Sequence, residues 1–423
     1  MLTEKIKLSS DCADDDDTES LLVEEARRRI LADIKPVTGS EKLALRSALG
    51  RTLAQDIIST IAVPSHANSA MDGYALSGLD LADQRPHDFV VAGTAYAGVP
   101  FSDPCNTGEC IRIMTGAPIP PGADTVIMQE QVELLNDNKV RITGAHRRGQ
   151  NVRLAGEDIA KGSVVLEAGR CLVPADLGVL ASLGVAEVSV RRRPRVAFFS
   201  TGDELRSVGE ILGKGDIYDS NRYSLYGMLT RLGVDILDLG VVRDEPTAIR
   251  EAFQSAAALA DVVMTSGGVS VGDADYIKPV LSELGEIKFW KIAMKPGRPL
   301  TFGHLGDALF FGLPGNPVAV MVTFYQFVQP ALNYLINGAI HMPLTLQARS
   351  ITSIRKRPGR FEFIRGILKQ TLPGKYEVHI AGRQGSGILT SMSRANCFIL
   401  LAEESGDIKE GDSVIVQPFE AFV

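Results

Sequence analysis

The chain of 423 residues has room for about three or four domains, and its 45% hydrophobic and 22% charged residues are the balance of an ordinary soluble globular protein. A formal net charge of -7 excludes a general nucleic-acid binder, so any anionic ligand has to be met by a local basic cluster. No apolar run approaches the roughly 20 residues of a membrane span and the acidic start has no signal-peptide pattern, so a cytoplasmic protein with no membrane attachment is expected.

The first 17 residues, with Asp14 to Asp17 in a row, have too little hydrophobicity to pack and predict a disordered, solvated tail. Leu22, Ala26 and Ile30 then recur at helical spacing, with Glu24 and Glu25 early and Arg27 to Arg29 later, the polarity that a helix dipole favours. A Gly- and Pro-rich stretch follows, with short alternating runs such as Cys110 to Met114 and Thr125 to Met128, and reads as a β-rich module. A second Gly-punctuated β pattern resumes at Gly149, and the run Arg191, Arg192, Arg193, Pro194 marks a boundary. The five cysteines (Cys12, Cys105, Cys110, Cys171, Cys397) form no C-x-x-C pair, which favours reduced structural thiols over a zinc site.

From Arg195 the pattern becomes strand and helix in alternation: Val196 to Phe199, Asn221 to Leu232, Val234 to Val242, Thr247 to Ala260, Val262 to Met264. That order predicts a parallel sheet covered by helices on both faces, with ligands beyond the carboxyl ends of the strands. Two polar loops fall there, STGDEL (Ser200 to Leu205) and TSGGVSVGDADY (Thr265 to Tyr276). In the second, Gly267, Gly268 and Gly272 permit close approach of backbone to a ligand, Ser266 and Ser270 suit an oxyanion, and Asp273 and Asp275 add carboxylates. Anion-binding N–H and hydroxyl groups beside carboxylates in one loop suggest a phosphate held together with a metal.

In KIAMKPGRPL, Lys291 and Lys295 read as one side of a strand ending in a rigid turn, which brings Arg298 near Lys295 and suits a small, multiply charged oxyanion. LPGNPVAV reads as a helix start, with Asn316 as N-cap, Pro317 at N1, and N–H groups that could also hold an anion. After the helix that ends near Asn337, the runs FEFIRGILK, YEVHIAG, CFILLAE and SVIVQPF predict a compact β-barrel-like module. The six histidines are scattered, and none has metal-ligand spacing with another.

Seven segments taken together, PSHANSAMDGYAL (Pro64 to Leu76), AGEDI, STGDEL, YDSNRY, TSGGVSVGDADY, MKPGRPL and LPGNPVAV, resemble the bacterial MoeA type of molybdopterin molybdenumtransferase, related to the gephyrin E domain. The resemblance covers about 18 to 420. It implies an α/β plus β protein of four domains: an elongated domain I (18–62 and 149–193), a β-rich domain II (63–148), an α/β molybdopterin-binding domain III (194–338) and a β-barrel-like domain IV (339–423). It further implies an L-shaped homodimer with intersubunit active sites, and a molybdopterin adenylyltransferase as upstream partner. The implied reaction is insertion of molybdate into adenylylated molybdopterin with Mg2+-dependent release of AMP.

By the same resemblance Asp72, Asp158, Glu204, Asp244, Asp275, Lys291 and Lys295 match active-site residues. Asp275, with Asp244 or Glu204, is the implied magnesium set, since magnesium takes one or two carboxylates plus phosphate oxygens. Asp72 and Glu204 serve equally as acceptors for pterin N–H groups. Thr201, Gly202, Ser266, Gly267, Gly268, Ser270, Pro314 and Asn316 form the implied substrate-binding loops, and Arg298, Pro299, Arg365 and Ser386 the surroundings of molybdate. Many relatives of this type carry lysine where Arg298 stands, and the acidic tail is no part of the pattern. A stand-alone adenylylating enzyme or nucleotide hydrolase would leave SAMDGYA without a purpose. A purely structural scaffold would tolerate loss of the carboxylates and lysines, all of which are present.

Overall fold

The computed structural model describes residues 20–81, 85–136, 138–267, 276–340 and 342–419. The chain divides into two compact units, Met1–Gly39 with Arg191–Val423, and Ser40–Val190. The tail expected over residues 1–17 lies outside the described residues.

The first unit is built on a six-stranded sheet in the order Asp235–Val242, Arg195–Thr201, Val262–Ser266, Ala308–Leu313, Pro299–Leu305, Glu286–Lys291. The first four strands are parallel, as the alternation of strands and helices predicts. Pro299–Leu305 runs antiparallel to both of its neighbours, so the sheet is mixed. Only Gly306 and Asp307 connect Pro299–Leu305 to Ala308–Leu313, far too short for the crossover that a parallel pair needs.

Strand alternation divides the core into two layers. Val196, Phe198 and Met264 face a cluster formed with the helices Val23–Asp33, Ser220–Leu232 and the segment Pro317–Asn337. Ala197, Phe199 and Val263 face the opposite cluster, which Pro246–Leu259 and Ile277–Leu284 cover with Ile249, Phe253 and Leu281. The long helix ending at Asn337 is interrupted by a π segment, Phe324–Val328. Pro330 has no N–H to return to the carbonyl four residues back, and that Gln326 carbonyl instead accepts from Arg27 Nε at 3.0 Å.

The C-terminal strands close into a five-stranded barrel. Phe361–Leu372 pairs with Lys375–Ile380, then come Leu346–Ser350, Ser413–Pro418 and Cys397–Leu401, which returns to Phe361–Leu372. Phe363, Met392 and Phe398 belong to the same buried cluster as the sheet, so barrel and α/β domain share one core. A two-residue strand, Met294–Lys295, pairs in parallel with Phe361–Glu362 of the barrel.

The second unit holds another six-stranded mixed sheet, in the order Thr125–Met128, Gly73–Leu76, Glu109–Ile113, His87–Ala95, Lys139–Ile142, Val132–Asn136. Gly73 is required there by close approach, because a Cβ on it would come within 2.0 Å of the Ile127 carbonyl oxygen. Cys105 and Cys110 are buried in this unit, and burial pushes their thiols up to about 11 and about 12, consistent with inert structural cysteines.

Candidate active site

In the first unit, the loops leaving the parallel strands open onto a cavity of about 590 Å³. One wall carries Thr201 at the end of Arg195–Thr201 with Gly202 and Glu204 after it, Asp244 after Asp235–Val242, and Gly267 after Val262–Ser266. Pro314 and Asn316 line it from the fourth strand end, Lys295, Arg298 and Pro299 from the edge segment, and Arg360 and Ser386 from the barrel side.

The strand ends are locked by local chemistry. Gly267 has φ +90° and donates its N–H to the Leu313 carbonyl at 3.2 Å; a Cβ there would stand 2.8 Å from the Thr201 carbonyl oxygen. Glycine is therefore demanded both by conformation and by contact. Asn221, at the start of Ser220–Leu232, donates to Ser266 Oγ at 2.8 Å and to the Gly315 carbonyl at 2.7 Å, which ties two of the loops together. Its Oδ1 is buried without a hydrogen-bond partner, as are Ser200 Oγ and Thr265 Oγ1 at the ends of neighbouring strands.

Burial raises the Asp244 carboxyl above the ordinary carboxylate range, and the Asp203 and Glu204 carboxylates push it further in the same direction. A raised value means that ionised Asp244 costs stability at neutral pH, a cost that disappears as pH falls through the raised value toward 3.8. Asp244→Asn is therefore expected to raise the thermal midpoint at pH 7 in the presence of a chelator, with the gain shrinking as the melts are repeated down to pH 4. A midpoint lowered at pH 7, or a gain that grows on acidification, would contradict this placement of the charge.

The structure revises several sequence expectations. Lys291 and Lys295 do not share one strand: Glu286–Lys291 ends at Lys291, and Met294–Lys295 joins the barrel, with Ile292 and Ala293 buried between them. Lys295 lines the cavity and Lys291 is not among its lining residues. Arg365 is 1% exposed and does not line the cavity; its Nε donates to Ser391 Oγ and its Nη2 to the Gly385 carbonyl, both at 3.1 Å. It therefore holds the loop beside Ser386, and burial lowers its guanidinium to about 10. Asn316 stands at the helix start without a side-chain capping bond, and the Val318 N–H that could have met an anion donates to the Ser386 carbonyl at 3.1 Å. Ser266 is 2% exposed, with its hydroxyl against Asn221. Gly268, Ser270 and Asp275 lie outside the described residues.

Asp72 and Asp158 belong to the second unit. The Asp72 carboxylate accepts from the Thr115 N–H and hydroxyl, each at 2.7 Å, and these bonds hold it below the usual carboxylate range. Asp158 is exposed in a turn where its N–H donates to the Val63 carbonyl at 3.0 Å. Sequence reasoning missed Asn221, Arg360 and Gln384. Arg360 closes the Pro-Gly-Arg turn just before FEFIRG, and the basic run Arg355 to Arg360 was the signal available for it.

Three family models match this chain: the MoeA N-terminal region (domain I and II) over 21–184, the probable molybdopterin binding domain over 197–334, and the MoeA C-terminal region (domain IV) over 347–419. The chain is 45% identical over 400 residues to the molybdopterin molybdenumtransferase of Haemophilus influenzae, covering 94% of this chain and 98% of the relative. It is 32% identical to gephyrin of Dictyostelium discoideum, over 93% of this chain and 61% of gephyrin. The crystal structure of the molybdopterin biosynthesis moeA protein from Pyrococcus horikoshii superposes with a TM-score of 0.83 at 30% identity, covering 95% of this chain and all of that one. With its strand-end cavity built from the segments that carried the resemblance, and with all three models matched in order, this chain belongs to the MoeA family of molybdopterin molybdenumtransferases.

Proposed function

We propose that the cavity is where molybdate enters adenylylated molybdopterin, with Mg2+-dependent release of AMP, as a step of molybdenum cofactor biosynthesis. The activity class is that of a molybdopterin molybdenumtransferase, the name borne by the relative at 45% identity. One observation carries the reading: a single cavity sets the carboxylates of Glu204 and Asp244 against the cations of Lys295, Arg298 and Arg360. Such a pairing suits a reaction in which an anion meets a phosphoanhydride, where catalysis is mostly positioning and charge neutralisation.

Among the described residues no group of three His, Cys, Asp or Glu side chains stands ready to hold a metal ion. Magnesium needs fewer, since it takes one or two carboxylates and completes its shell with phosphate oxygens and water. Asp244 and Glu204 fit that demand, and the burial and neighbouring carboxylates that raise Asp244 are what a divalent cation would offset. Asp275 is the sequence-based third candidate. When bound, the cation would neutralise charge developing on the departing phosphate. Lys295 and Arg298 hold and orient the incoming oxyanion, the strand-end glycines let backbone approach the substrate, and Arg365 fixes the loop that carries Ser386.

The adenylate comes from a molybdopterin adenylyltransferase, and the protein works in the cytoplasm as a homodimer, with Asp72 of each subunit serving its partner. AMP release from adenylylated molybdopterin, followed with and without molybdate, tests the function. Release that ignores molybdate would turn the reading into that of a hydrolase, and no release under any magnesium concentration would reject it.

A further inference from the structure

Behind Lys295 lies an arrangement that the reaction as outlined does not use. Lys295 Nζ stands 3.5 Å from Glu362 Oε2, and the two residues are register partners in the short parallel pairing of Met294–Lys295 with Phe361–Glu362. The lysine side chain is 53% exposed and that of the glutamate only 8%.

A buried carboxylate paired with an anion-binding lysine has two opposed effects. It fixes the ammonium in one place, and it subtracts the positive charge that an oxyanion needs. The first effect is favoured here, because strand register and burial fix the carboxylate while the exposed lysine stem is flexible. We infer that Glu362 is a positioning residue for Lys295. The inference rests on the reading of the cavity as an oxyanion site and deepens it.

The test is a double-mutant cycle on the full-length protein, with molybdate as the probe: Glu362→Gln, Lys295→Ala and the pair, each measured for molybdate binding by equilibrium dialysis and for AMP release. Glu362→Gln is expected to weaken molybdate binding about tenfold, the scale of losing a hydrogen bond between charged groups, with adenylate affinity and thermal midpoint little changed. In the Lys295→Ala background the same exchange should have almost no further effect on molybdate.

Tighter or unchanged molybdate binding in Glu362→Gln overturns the inference, as does an equal loss with and without Lys295, or no molybdate binding by the unaltered protein. Parallel losses in adenylate affinity and thermal midpoint would assign Glu362 a purely structural role and overturn it as well. Because dialysis needs no turnover, failure of AMP release alone would count against the proposed reaction and leave the charge arrangement to be judged by binding.

Discussion

Exchange of Asp244 for Asn is expected to lower Mg2+-dependent AMP release by about a hundredfold or more, since loss of metal-based charge neutralisation removes several kcal/mol of transition-state stabilisation. The same exchange should leave the fold at least as stable at neutral pH, because it relieves a carboxylate that burial and the neighbouring Asp203 and Glu204 hold above its ordinary range. Opposite signs for activity and stability separate a working carboxylate from a structural one. A structural carboxylate would have a depressed value and satisfied bonds, as Asp176 has with Arg170, where both guanidinium contacts are shorter than 3.0 Å. The measurement is a magnesium titration of AMP release beside thermal melts of the same preparation. Turnover unchanged across the titration would remove Asp244 from the magnesium set, and a fall in both quantities would mark it as a support of the fold.

Mixing two inactive variants should restore activity if Asp72 serves the partner subunit. Asp72→Ala and Asp244→Asn homodimers are each expected to be nearly inactive, while a heterodimer carries both lesions in one site and leaves the other intact. With random association about half the dimers are mixed, so recovery should approach about one quarter of the wild-type sites. The observation behind Asp72 is its presentation: the carboxylate is exposed, ionised and held by two bonds from Thr115, so it is oriented without being consumed by an ion pair. AMP release after co-expression, with heterodimers confirmed by differential tagging, decides the matter. No recovery in confirmed heterodimers would return Asp72 to its own chain and end the shared-site proposal.

Much of this protein was legible in the order of its residues. Strand and helix alternation after Arg195, the conversion to short strands in the C-terminal region and the polar loops at strand ends are all local signals. Each follows from a repeat of two or 3.6 residues, or from a backbone angle that glycine alone adopts cheaply. That is why Gly267 could be singled out before its φ of +90° and its approach to Thr201 were seen. Glu204, Asp244, Lys295 and Arg298 were likewise singled out in advance, and the structure brings them to one cavity.

Other features had no local signature. Lys291 and Lys295 are four residues apart and look equivalent, yet one ends the edge of the α/β sheet while the other pairs with a barrel strand whose residues come more than sixty positions later. Arg365 reads as a cavity residue until the surrounding barrel buries it, and Glu362 looks like an ordinary strand residue until Lys295 pairs with it. The sequence by itself determined the repeating elements, the turns and the chemical types available at the loops, because those depend on backbone geometry within a few residues. Only the tertiary structure decided which charges face the cavity, which are buried, and which carboxylate is crowded, because the energy of a charge is set by the solvent it loses and the partners it gains, and both are supplied by segments far away in the chain.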